Sequence, residues 1–506
     1  MATVARNFVA NLAGNAWGTL LSLLIVPVYL KFLGAEGYGL IGFYLLVSTL
    51  LSVLDVGFSA TVNRELASSS ESSRRGLAGM IRTLERGFFA ISLVIAIIVF
   101  VLAPQIATHW LNVHELSIGS AIWATRLMAG LLLMQFPIAL YNGCLLGLQR
   151  HDALNAIGVC MSTVRAVGAI AILWAISRSV EAFFAWQLFV TLANLVIVRA
   201  IVMRLVPRSA DDRGMSIEDV RRVGSFALGM GAINMLGLVI TQLDRVVLSA
   251  LVPLKLFGYY ALAWTAASVI YRLSGPVFTA ILPRMTQLAS RRDASASTEI
   301  FLKSGQLMAT LVVPVSLFLA IFAHEVLAIW THDPAVAAAD GVVLAMLAGG
   351  TMISAILQVP VAYLVGAGTL RPLLWINFGA AVAFVPLLGA LVMAAGIEGA
   401  AASWLILNVG LCIPVAFAIV GPLGPAQFRR WAIQSVVLPV CVCLAFLVPV
   451  AAVIHHFGVH DGVMLTMILA AAGVVCEGLV LVSLPMPRTR IVAALKRFTR
   501  DPKSPV

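Results

Sequence analysis

Fourteen apolar runs, each about twenty residues long, follow one another along the whole 506-residue chain. They fall near 11–33, 40–62, 87–107, 120–143, 156–176, 182–203, 223–252, 258–282, 305–325, 341–365, 373–395, 399–421, 432–454 and 462–484. A helix of about 20 residues, at about 1.5 Å per residue, matches the roughly 30 Å hydrocarbon thickness of a bilayer. No water is available there to satisfy the backbone, so each run must close its own hydrogen bonds as a helix. Only 11% of the residues are charged, less than half of the roughly 25% of soluble domains, so lipid is the main solvent. The first run is long, lacks a convincing small-residue cleavage site and is followed at once by a second. It therefore reads as a span rather than a signal peptide. These features predict an all-α polytopic membrane protein of about fourteen helices.

Charge placement orients the spans. With the N-terminus in the cytoplasm, 25 of the 33 lysines and arginines lie in cytoplasmic segments, and only Lys31, Arg178 and Lys255 lie opposite. That bias predicts both termini in the cytoplasm and accounts for the net charge of +11 without a nucleic-acid partner. The six cysteines all fall in apolar runs and read as small fillers. Seven of the eight histidines lie at or beyond the non-cytoplasmic span ends and read as interface residues, so no metal site is expected. There is no P-loop, HExxH, GxSxG or CxxC motif, and the hydrophilic stretches 63–86, 204–222 and 284–303 are too short for a catalytic domain. A transporter is expected rather than an enzyme.

The chain also repeats itself. An offset of 219 residues sets Asn15 on Asn234, Gly18 on Gly237 and Ser22 on Thr241. An offset of 220 sets Ser48 on Ser268, Ser52 on Arg272, Phe58 on Phe278 and Arg64 on Arg284. The turn Gly37-Tyr38-Gly39 is matched by Gly258-Tyr259-Tyr260. The copies start six spans apart, an even number, so both enter the membrane from the same side. This predicts a parallel repeat about an axis along the membrane normal. The expected organisation is an N-lobe of six helices (1–206), a cytoplasmic linker (207–222), a C-lobe of six helices (223–423), an extra C-terminal helix pair (424–484) and a basic cytoplasmic tail (485–506). Matched lobes suggest an intervening cleft and alternating access by rocking.

Four spans carry polar or small residues at helical spacing: Asn15, Gly18 and Ser22; Tyr44, Ser48, Ser52, Asp55 and Ser59; Asn234, Gly237, Thr241 and Asp244; Thr265, Ser268, Arg272 and Gly275. Steps of three and four place each set on one face. Ser and Gly alone would serve helix packing. Charges are different: one at mid-membrane costs about 2.5–3.5 kcal/mol on insertion scales, so it faces a wet cavity or a partner. Arg126, Arg165, Arg245 and Arg272 against Asp55 and Asp244 leave a positive excess, which suits an anion, with phosphate the natural match for arginine. Ion pairing of each arginine with a neighbouring Asp is the structural alternative. Arg199, nearer the cytoplasmic end, is accounted for by snorkelling.

The opening Arg6-Asn7-Phe8 with Asn15, the LGAEGYG stretch (33–39), LDVGFSATVNRELA (54–67), YNGCLLGLQRHDALNAIG (141–158) and QLDRVVLSALVPLKLFGYYALA (242–263) resemble bacterial polysaccharide flippases. These form the polysaccharide transport branch of the multidrug/oligosaccharidyl-lipid/polysaccharide flippase superfamily. The likeness extends over roughly 5–420, and the fourteen spans resemble the lipid II flippase layout. The resemblance implies two six-helix lobes whose first, second, seventh and eighth helices line a central cavity. It also implies transfer of an undecaprenyl-pyrophosphate-linked glycan across the bacterial inner membrane, driven by a proton or sodium gradient, without a cofactor, and in company with polysaccharide polymerase machinery. On this basis Arg126, Arg165, Arg245 and Arg272 would hold the pyrophosphate, Asn15, Ser48, Ser52, Asn234, Thr241 and Ser268 would line the path, and Asp55 and Asp244 would couple the ion or position the arginines. The alternative is a small-molecule exporter of the multidrug and toxin extrusion type, against which the net-positive lining argues.

Overall fold

A computed structural model describes residues 2–68, 77–206, 237–238, 240–458 and 462–486. It is helical in every predicted span, with only the C-terminal part of the seventh (240–251) among the described residues. The helices are α1 (Ala2–Ser68), α2 (Leu77–Gln105), α3 (Ile118–Gly147), α4 (His151–Ala175), α5 (Val180–Leu205), α6 (240–251), α7 (Leu254–Ala267), α8 (Val269–Ser290), α9 (Ala294–Ile321), α10 (Ala323–Thr331), α11 (Pro334–Gly366), α12 (Leu370–Leu423), α13 (Pro425–Ala432), α14 (Leu438–Phe457) and α15 (Gly462–Ser483).

Two of these are pairs of spans joined without a loop. In α1 the break is Gly34 (φ 70°, ψ 178°), and in α12 it is Ala395 with Gly396 (φ 54°). A positive φ suits glycine because it has no Cβ to collide with the carbonyl. The eighth span bends by 41° between α7 and α8. Four other helix starts are capped by side chains. Ser117 accepts from Ser120 N–H, Ser179 from Ala182, Asp293 from Ala296 and Asp333 from Ala335, satisfying donors that would otherwise be orphaned.

The outer surface confirms the solvent. Trp174, Trp375 and Phe417 are more than 70% exposed, a pattern water would penalise and acyl chains welcome. The protein is a multi-pass membrane protein.

The chain forms two compact units, Met1–Leu262 and Ala263–Val506. In the first, α2, α3 and α5 share a core around Phe88, Phe136, Tyr141, Leu145 and Val202. Arg199 of α5 does not simply snorkel. Its Nε donates to Glu85 of α2 at 2.7 Å, beside the buried Tyr141 of α3. In the second, Phe301, Met308 and Val312 of α9 share a core with Cys443 and Leu447 of α14 and Cys476 and Val480 of α15. The extra helix pair is thus docked on α9 by apolar burial.

Within the first unit, the two repeat turns pack against each other. A Cβ on Gly39 would stand 2.5 Å from the Leu254 carbonyl oxygen, and one on Gly258 would stand 2.1 Å from that of Ala35. Offsetting by 219 residues converts Ala35 to Leu254 and Gly39 to Gly258, so each contact is the other's counterpart. Self-complementary pairing of this kind is the signature of a two-fold relation, here internal to one chain. It also corrects the turn alignment. The letters set Gly258 against Gly37, whereas the carbonyl contacts make Gly39 its equivalent. Gly258→Ala is therefore expected to destabilise the protein by about 1–3 kcal/mol, the usual cost of forcing a tight contact apart. Gly275→Ala, with open space around its Cα, should leave the melting temperature in detergent unchanged or raised.

Candidate functional site

The first unit carries a polar layer inside an otherwise apolar bundle, assembled from α1, α3, α4 and α5. Ser48 of α1 and Gln135 of α3 exchange two bonds. The Ser48 hydroxyl donates to Gln135 Oε1 at 2.9 Å, and Gln135 Nε2 donates to the Ser48 carbonyl at 2.8 Å. A neutral reciprocal pair of this sort satisfies both side chains where no water competes. One helical turn back, the Tyr44 hydroxyl interacts with that of Ser48.

Arg165 of α4 closes this layer. One guanidinium nitrogen, Nη2, donates to Thr191 Oγ1 of α5 at 3.1 Å. Its charge also acts on Tyr29 and Tyr44, one from each half of α1. Tyr29 and Tyr44 are held edge-on by Phe183 and Phe184 of α5, with ring centroids 4.9 and 6.1 Å apart. The α4 backbone is pinned as well, because Trp186 Nε1 donates to the Arg165 carbonyl at 3.2 Å and Gly168 leaves room for the Trp186 ring. Arg165 Nε is buried without a protein acceptor. The guanidinium is thus fixed in place with donor capacity uncommitted.

Arg126 of α3 is held differently. Its guanidinium carbon lies 5.1 Å from the ring centres of both Phe100 and Trp123, an arrangement favourable to a cation over π faces, and its Nε also lacks a protein acceptor. Among the described residues, neither Arg126 nor Arg165 forms an ion pair with a carboxylate.

The remaining expected residues fall in three places. Asp244 is wholly buried, and its Oδ2 accepts from the Tyr260 hydroxyl at 2.5 Å. The neighbouring Arg245 donates to the Thr241 carbonyl at 3.3 Å, and the Thr241 hydroxyl turns back to Gly237. Ser52 bonds to the Thr49 carbonyl and Ser268 to that of Thr265, both at 2.7 Å. Ser268 marks the bend between α7 and α8, with the exposed Arg272 one turn beyond. Asn234, and the side chains of Asn15 and Asp55, lie outside the described residues.

Tyr29, Gln135 and Thr191 complete the layer around Arg165. Tyr29 and Gln135 have no polar residue three or four positions away in an otherwise apolar run, whereas Thr191 sits in a stripe of its own with Gln187 and Asn194. No group of three or more His, Cys, Asp or Glu side chains suited to a metal ion occurs among the described residues.

Residues 4–289 match the family model for polysaccharide biosynthesis proteins. Among curated proteins, none matches the sequence significantly. Among solved structures, the chain is similar to the lipid II flippase MurJ in an inward closed conformation (TM-score 0.67, 12% identity, 94% of this chain and 98% of that one). It is also similar to an inward-facing multidrug resistance transporter of the MATE family (0.59, 15%, 85% and 96%), and to the Vibrio cholerae MATE transporter VcmN (0.56, 12%, 85% and 99%). At these identities the likeness is one of fold.

Proposed function

The chain belongs to the polysaccharide biosynthesis protein family, and from that premise we propose that it is a flippase for a polyprenyl-pyrophosphate-linked oligosaccharide in the bacterial inner membrane. The observation that carries this reading is Arg165, a guanidinium fixed by Thr191 and Trp186 inside the bundle, with no carboxylate partner among the described residues. A half-buried cation with no counter-charge among the described residues is costly in an apolar bundle. A site that binds a pyrophosphate recovers that cost when loaded, through charge-assisted bonds in a medium of low dielectric constant.

In this mechanism Arg165 takes the pyrophosphate, with Arg126, Arg245 and Arg272 along the path. The Ser48, Ser52, Thr241 and Ser268 hydroxyls, with Asn15 and Asn234, meet the glycan, and the polyprenyl tail stays in lipid. The halves 1–206 and 223–423 rock under a proton or sodium gradient that acts through Asp55 or Asp244. Both termini lie in the cytoplasm, and the released glycan passes to a polymerase.

The test uses proteoliposomes loaded with a fluorescent polyprenyl-pyrophosphate oligosaccharide on the inner leaflet. Its accessibility to an external lectin should rise with an imposed gradient. Efflux of cationic dyes with no lectin-accessible glycan would replace this reading with multidrug export.

A further inference from the structure

A cleft of about 750 Å³ opens in the second unit where α9 begins, α12 ends, α13 begins and α15 ends. All four termini come together at the cleft, where the apolar spans end, which is where a membrane–water boundary falls. It is a built feature. Gln306, 4% exposed, donates to Gln434 at 2.9 Å and accepts from Met486 N–H at 2.9 Å, pinning the ends of the extra helix pair to α9. Gly305 lets Trp431 pack close, and Phe301 and Phe428 stack on that indole at 5.6 and 5.8 Å.

The lining has two characters. Leu302, Tyr363 and Met486 give it an apolar wall, while Arg430, Lys303 and Gln427 give it donors. Lys303 is already bridged to Glu299, which also lines the cleft. Arg430 is the cation left to meet an anion, with no carboxylate partner among the described residues. The chain that follows carries six lysines and arginines in residues 487–506, a basic excess that favours an anionic leaflet. A volume of this size accommodates a headgroup and glycerol.

We propose that this cleft binds the headgroup of an anionic phospholipid, with Arg430 on the phosphate and the acyl chains running along the apolar wall. The extra helix pair would then build a lipid site that a twelve-helix chain lacks.

The experiment is native mass spectrometry and thermal shift of the full-length protein with phosphatidylglycerol, phosphatidylcholine or inorganic phosphate. Wild type should retain phosphatidylglycerol over phosphatidylcholine, and Arg430→Ala should weaken that retention roughly fivefold, the effect of one cation near an anionic headgroup. Arg429→Ala, which removes a cation outside the cleft, should not. Lys303→Gln, which leaves Arg430 in place, should lose less than Arg430→Ala. Equal loss in Arg429→Ala and Arg430→Ala would reduce the effect to diffuse surface charge and overturn the site. Full competition by inorganic phosphate would identify a soluble-anion site and overturn the lipid assignment. The fate of glycan transfer in the same variants bears only on the proposed function, so the two readings fail separately.

Discussion

Arg165→Ala is expected to cut gradient-driven transfer of the lipid-linked glycan by about a hundredfold while leaving the protein folded. The size follows from the loss of one or two charge-assisted hydrogen bonds to phosphate, about 1.5–3 kcal/mol each, at about 1.4 kcal/mol per tenfold change. The fold should survive because the bond the guanidinium makes to Thr191 is not that residue's sole partner. Thr191 retains its own bond to the Gln187 carbonyl at 2.7 Å. Trp186 bonds to the Arg165 main chain, which alanine also provides. The Ser48–Gln135 exchange does not involve Arg165. Arg165→Lys keeps the charge but not the fork that grips two phosphate oxygens, so it should recover only part of the activity. Lectin accessibility in proteoliposomes gives the rate, and the melting temperature in detergent reports the fold. Wild-type transfer by the alanine variant would remove this residue from the mechanism.

The spans and their number were legible because a bilayer demands length and apolarity, and every predicted run contains described helix. Individual side-chain partnerships were not. Arg199 read as a snorkelling cation because Glu85, 114 positions away, shares no local pattern with it. Gln135 and Thr191 give no sign of their partners for the same reason: helix periodicity reports which face a residue occupies and not which other helix that face meets. The LGAEGYG stretch shows the opposite limit. Its letters signalled a family, yet the work of each residue emerges only in three dimensions. Gly34 breaks the helix with its positive φ, and Gly39 admits the Leu254 carbonyl. Glu36, never singled out, is 1% exposed and accepts N–H bonds from His114, Glu115 and Leu116 at 2.8, 2.8 and 2.7 Å.

That carboxylate makes the paired repeat turns a testable latch. Glu36 fixes the 114–116 loop to the first turn, and the second turn is tied to the same loop from the other side. Leu254 N–H donates to the Asn112 carbonyl at 2.9 Å, Trp110 Nε1 to Ser249 at 3.0 Å and Lys255 Nζ to Glu115 at 2.7 Å. If alternating access parts the second turn from this loop, the three bonds between them must break and reform in each cycle. Joining Glu115→Cys to Lys255→Cys with a bifunctional thiol reagent, in a background lacking the six native cysteines, should therefore reduce transport to the protein-free rate. Cleaving the linker should restore it. Each single variant should transport normally, because an exposed ion pair contributes little and the buried Glu36 bonds are untouched. Full transport by the cross-linked protein would mean that the turns stay packed throughout the cycle and that the outward opening lies elsewhere.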